Sequence, residues 1–145
     1  MIFNYSTKTK VISIVILVAV IIFTVVFVRY NNSRSNDLEL AQQVKILANG
    51  LEEYYEKFNS YPISDTVSVA QISNITDKGF NSDGDIVYFV QNFKWTGGAN
   101  YISDGKQYTI DFVVNNSWDS WGITKMAGGN CQVTTNVMME CINKP

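Results

Sequence analysis

Two different hydrophobic patterns follow one another along the first half of the chain. Residues 11–28, VISIVILVAVIIFTVVFV, are apolar on every side of a helical wheel, with only Ser13 and Thr24 polar and no charge. As a helix this stretch spans about 27 Å, close to the roughly 30 Å of a bilayer's hydrocarbon core. From Asp37 the pattern becomes one-sided. Leu40, Val44, Leu47, Leu51, Tyr54, Tyr55 and Phe58 recur at steps of three and four, flanked by Ala41 and Ala48, so they form one packing face of an amphipathic helix. Glu39, Gln42, Gln43, Glu53 and Lys57 fall on the other side, and Glu53 with Lys57 makes a favourable i,i+4 pair. Leu38 and Ile46 point away from the apolar arc, as exposed aliphatics or as contacts to another subunit. The helix has to stop by Ser60, because Pro62 lacks an amide proton and holds Tyr61 extended, while Asn59 suits a left-handed cap. Between the two patterns lies YNNSRSND (30–37). There Asn36 with Glu39 fits a capping box, so the reading is either a break at this point or one helix running through.

Beyond Pro62 the period shortens. Residues 63–84 hold turn formers, an apolar patch from Val67 to Ile75 and the loop DKGFNSDGD. The runs DIVYFVQNFKW and KQYTIDFVV are rich in β-branched and aromatic residues and read as strands, joined by the glycine-rich TGGANYISDG as a long hairpin loop. A third strand, VMMECI, closes the chain after the loop SWDSWGITKMAGGN. The expected fold is α+β: a long N-terminal helix, transmembrane and then amphipathic, packed on a small three-stranded antiparallel sheet. The domain plan is a cytoplasmic head at 1–10, a transmembrane helix at 11–29 and an extracytoplasmic domain at 30–145.

Composition narrows the choice. The chain has 145 residues, enough for one domain. A cleaved secretory signal has a shorter apolar region and small residues at its cleavage site, whereas VRYNNSRS follows here. A buried soluble helix is out of keeping with so short a chain. A single membrane span is therefore expected, in contact with lipid. Lys8 and Lys10 before it balance Arg29 and Arg34 after it, so basic residues do not orient it. The two cysteines do. Cys131 and Cys141, an even pair in a short chain with an apolar N-terminus, favour a disulfide and an oxidising compartment over two buried thiols, placing residues 30–145 outside the cytoplasm.

The formal charge is −2, and every acidic residue follows the span, so no concentrated basic surface for nucleic acid is expected. There is no histidine, which removes the commonest general base and metal ligand. No Gly-x-Ser-x-Gly, phosphate-cradling loop or HExxH is present, so neither an enzyme nor a cofactor is expected. Asn81, Asp83 and Asp85 alternate like the first ligands of a calcium loop, but Ile86 stands where glycine belongs, and an ordinary acidic turn competes with a weak metal site. Trp118 and Trp121, with Trp95, are either a surface platform for a ligand or core residues. Sequons begin at Asn4, Asn31, Asn74 and Asn115 and matter only in a glycosylating host.

The layout, and above all Leu51-Glu52-x-Tyr54-Tyr55 followed by Tyr61-Pro62, resembles the type IV pilin and type II secretion pseudopilin family. The specific part of the resemblance is confined to residues 37–62. It implies a pilin-like fold, a structural rather than enzymatic role, self-association through the N-terminal helix, and partners in a pilus or secretion assembly machinery. It also implies that Cys131 and Cys141 form the disulfide that staples the last loop. The family's processing signal, a glycine before the apolar stretch and a glutamate at its fifth position, is not matched: the first glycine is Gly50, and Val15 holds the fifth place after Lys10. The alternative reading is a membrane-anchored extracytoplasmic binding or adhesion module that does not polymerise.

Overall fold

The computed structural model describes residues 7–81, 88–95, 97–115 and 129–143. The first helix, α1, runs Thr7–Phe58, 52 residues, so helical backbone continues through residues 30–37 and no break forms at Asn36. By internal contacts the chain divides into two units, Met1–Arg34 and Ser35–Pro145.

In the first unit residues 11–28 are exposed on all sides. With every backbone amide and carbonyl in the helix interior already paired, such a segment presents little but hydrocarbon outward, Ser13 and Thr24 apart. Its one polar contact of note is internal: the Thr24 hydroxyl donates to the Val20 carbonyl one turn back.

The second unit is α+β. The strands are β1 (Ser64–Ser68), β2 (Ile75–Thr76), β3 (Gly79–Phe80), β4 (Tyr88–Val90), β5 (Ala99–Ser103), β6 (Tyr108–Val114), β7 (Gly129–Thr134) and β8 (Met138–Asn143). They build a five-stranded sheet, β1-β5-β6-β7-β8, and a small three-stranded one, β3-β2-β4, and every pairing is antiparallel. The α+β class stands, but the expected three-stranded sheet is replaced by this larger arrangement. KQYTIDFVV and VMMECI match β6 and β8, but among the described residues DIVYFVQNFKW is strand only at Tyr88–Val90, in the small sheet and unpaired with β6, and β1, β2, β3, β5 and β7 were not expected. ANYIS, read as loop because of the glycines before it, is β5, with alternate residues buried and a tight turn to β6. There Asp104 Oδ1 accepts from the amides of Lys106 and Gln107, and Gly105 takes φ 89. Likewise GNCQVT, which overlaps the last two residues of the expected loop SWDSWGITKMAGGN and runs past it, is β7.

The core lies between the inner sheet face and α1. Leu40, Val44, Leu47 and Leu51 are buried with Ala99, Tyr101, Tyr108, Ile110, Phe112, Val114, Cys131 and Val133. A continuous apolar stripe on the helix meets the alternate residues of three strands, β5, β6 and β7, and burying such side chains stabilises the fold by about 1.5–3 kcal/mol each. Gln43, placed on the polar side by the sequence pattern, is buried, and its amide donates to Glu39 Oε1 at 3.3 Å.

The helix and the small sheet come close together at Gly50. A Cβ there would lie 2.4 Å from Val90 Cγ2 and 3.2 Å from the Phe89 carbonyl oxygen. Gly50→Ala is therefore expected to cost about 1–3 kcal/mol, since β4 must move to accept it. Gly98→Ala, where a Cβ meets nothing within 4 Å, should stay within about 0.5 kcal/mol of the parent. Denaturant melts of the detergent-solubilised chain measure both.

Candidate functional site

Two regions carry the features singled out in the sequence: the apolar segment of the first unit, and in the second unit the end of α1 with the strands it meets. In the first, one helix is long and apolar enough to cross a membrane. Its rings Phe23 and Phe27 stack one turn apart, with centroids at 6.2 Å.

In the second unit, the stretch from Leu51 to Pro62 is held by a network rather than by packing alone. Leu51 is buried, Tyr54 and Tyr55 are half-buried, and Phe58 lies at the surface, so the packing face fades toward the helix end. Asn59 takes the left-handed conformation, φ 53, and its amide donates to the Tyr55 carbonyl at 2.7 Å. That turn brings the chain back over its own helix. The Tyr61 ring stacks on Tyr55 at 4.6 Å and meets Tyr108 edge-on at 4.8 Å. The Tyr61 amide donates to the Gly105 carbonyl, and the Tyr101 hydroxyl donates to the Pro62 carbonyl at 2.7 Å.

Glu52, unassigned by the sequence reasoning, ties these pieces together. Its Oε2 accepts from the Tyr61 hydroxyl at 3.0 Å, and its Oε1 accepts from the Asn136 amide at 2.9 Å. Asn136 belongs to the connection between β7 and β8, where both Asn136 (φ 67) and Val137 (φ 56) are left-handed. For a β-branched residue that conformation is strained. The charged acceptor thus fixes the tip of the last hairpin against the end of the helix. The Tyr108 hydroxyl is buried beside the same carboxylate. Burial, and then Glu52, push the Tyr61 and Tyr108 phenols well above their ordinary range, and burial raises Tyr101. At the other end of the unit, the buried Asp37 accepts from the Asn115 amide at 3.0 Å and from Asn115 Nδ2 at 3.3 Å.

Cys131 and Cys141 form a disulfide. They face each other directly across β7 and β8, with Cys131 among the buried residues of the inner sheet face, so the bond joins two paired strands instead of stapling an irregular loop. Asn81 lies in a turn with φ 52, and both polar atoms of its side chain are hydrogen-bonded. Its Oδ1 accepts from the Ser73 amide and hydroxyl and from the Asn74 amide, while Nδ2 donates to the Gln71 carbonyl. Asp83, Asp85, Trp118 and Trp121 lie outside the described residues. Trp95 packs on Phe93 at 4.7 Å and donates from Nε1 to the Ile72 carbonyl at 2.9 Å, a core role. Among the described residues no three His, Cys, Asp or Glu side chains are grouped to hold a metal ion.

No protein-family model matches the chain, and the comparisons with curated proteins and with solved structures find no match either.

Glu52→Ala should cost about 1–3 kcal/mol in a denaturant melt, because it strands the Tyr61 hydroxyl and the Asn136 amide, and Glu52→Gln should recover part of that loss. The phenols set the alkaline limit. The unfolded chain releases phenol protons near pH 10, whereas the folded chain holds them, so the unfolded state binds fewer protons above that pH. Stability is then fully present below about pH 10 and falls as pH rises beyond it. Thermal melts across this range should show that decline, and less steeply in Glu52→Gln.

Proposed function

We propose that the chain is a membrane-anchored, non-enzymatic structural subunit of pilin-like or pseudopilin-like build. Residues 11–28 cross the membrane once, and residues 30–145 lie on its outer side, in the periplasm or at the cell surface. The observation that carries this reading is the apolar, all-round exposed helix at the N-terminus, in one chain with an α+β unit whose first element is an amphipathic helix. A segment of this hydropathy has no stable place in water and partitions into lipid. The disulfide supports the outward side, since such bonds persist in oxidising compartments. The Leu51-Glu52-x-Tyr54-Tyr55…Tyr61-Pro62 sequence supports the pilin-like build, because Glu52 and Tyr61 are hydrogen-bonded partners that turn the helix end back toward the sheet. On assembly, apolar helices of neighbouring subunits form the filament core, and the outward units make the contacts with pilus or secretion machinery.

One observation favours a second reading. No acidic residue stands in residues 11–28, with Val15 at the position where the resembled family carries glutamate. A buried carboxylate in hydrocarbon needs a partner and so sets the register between subunits. Without it, the chain is a single-pass anchor for an extracytoplasmic binding or adhesion module that does not polymerise.

Fractionation separates these. Under both readings the full chain stays in the membrane after an alkaline carbonate wash, whereas a chain beginning at Ser35 is released; release of the full chain overturns the anchor. Fibres sheared from the cell surface that contain the protein support the structural subunit. A population recovered wholly as membrane monomer overturns it and leaves the anchored module.

A further inference from the structure

The outer end of α1 carries a second cluster that the Glu52 network does not use. Tyr54 and Phe58 are one turn apart on the helix, with ring centroids at 4.6 Å. Phe89 of β4 meets both, at 5.3 Å from Tyr54 and 6.1 Å from Phe58, edge-on in each case. The glycine at position 50 makes this possible, since it lets β4 run close to the helix one turn earlier. An edge-on pair covers at most one face of each ring, and Phe58 is 37% exposed. Those faces are in use: the Lys57 ammonium lies 5.6 Å from the Phe58 centroid and 5.9 Å from that of Phe89.

A carboxylate lies near the Tyr54 member of the group. Asp77 sits in the β2–β3 turn, beside the point where β2 pairs with β4 at Thr76 and Tyr88. Its Oδ1 is buried and has no hydrogen-bond partner among the described residues. It is near enough to Tyr54 for its charge to add to the effect of burial in raising that phenol's pKa. A buried carboxylate oxygen without a donor is costly, and a cation seated nearby offsets that cost.

We propose that the rings of Tyr54, Phe58 and Phe89, together with the Asp77 carboxylate, form a binding site for a methylated ammonium group, which Lys57 occupies in the free protein. Ring faces attract any cation, by about 0.5–2 kcal/mol depending on how far it is desolvated. A primary ammonium such as that of lysine is compact and strongly hydrated, so it gains little by leaving water. A trimethylated nitrogen has no N–H groups to desolvate, and its methyl groups match the rings, so it displaces Lys57. The site belongs to the second unit alone and does not rest on the membrane anchor or on assembly.

The test is a titration of the full chain, in phosphatidylglycerol nanodiscs, with tetramethylammonium, choline and sodium chloride, followed by NMR shifts of the aromatic rings. Saturable shifts are expected with tetramethylammonium and choline but not with sodium. Lys57→Ala should bind about threefold more tightly, as the internal competitor is removed. Asp77→Asn and Phe58→Leu should each weaken binding severalfold. Phe58 is at the surface, so its variant remains informative if Phe89→Leu fails to fold. Equal responses to sodium, unchanged affinity in Phe58→Leu, or no tightening in Lys57→Ala each overturn the site. Nanodiscs containing phosphatidylcholine then identify the source. Loss of the choline response there assigns the site to a lipid headgroup, and an undiminished response assigns it to a soluble ligand.

Discussion

The second unit depends on one packing requirement: the stripe Leu40, Val44, Leu47 and Leu51 has to be covered. A lone helix with such a face gains little from its backbone hydrogen bonds alone, so most of its stability comes from what it packs against. The inner face of the five-stranded sheet supplies that surface. Where the stripe runs out, beyond Leu51, polar contacts take over. Glu52 holds Tyr61 and Asn136, Gly105 receives the Tyr61 amide, and Tyr101 holds the Pro62 carbonyl. The order along the helix is thus apolar burial first and directional bonding second. This order explains why the chain can reverse within a few residues without losing its grip on the sheet.

The two halves of α1 obey opposite rules with the same backbone. In residues 11–28 every side is hydrocarbon and none is covered within the chain. In residues 37–58 hydrocarbon is concentrated on one side, which is covered as far as Leu51, with Leu38 and Ile46 lying off it. Such a difference in patterning, without a change in secondary structure, is what separates a segment suited to lipid from one suited to a protein core.

Periodicity made the helix legible. Steps of three and four marked residues that, Phe58 apart, are buried or half-buried, and Pro62 with Asn59 located the stop to within a residue or two of Phe58. The sheet was read less well because its strands lack length and contrast. β1, SDTVS, is an edge strand with a polar sequence, and β2 and β3 have two residues each. β5 follows two glycines and β7 begins with one, so turn signals masked short alternating runs. Long-range polar contacts were the least legible. Glu52 reaches Asn136 and Asp37 reaches Asn115, and nothing local in the chain distinguishes these acids from solvated ones. The packing of Phe89 on Tyr54 and Phe58 was hidden for the same reason.

The disulfide joins residues only ten apart, on two strands that are already paired. It therefore acts as a local clasp and places no restraint on how the rest of the chain is threaded. What it secures is the identity of the sheet's outer edge. A chain ending before Cys141 would lose the last three of the six residues of β8 and uncover the Gly129–Cys131 end of β7, with Cys131 left without its mate. The final residues thus also guard against a wrong pairing between molecules, since they keep one reactive sulfur occupied and one row of backbone groups covered.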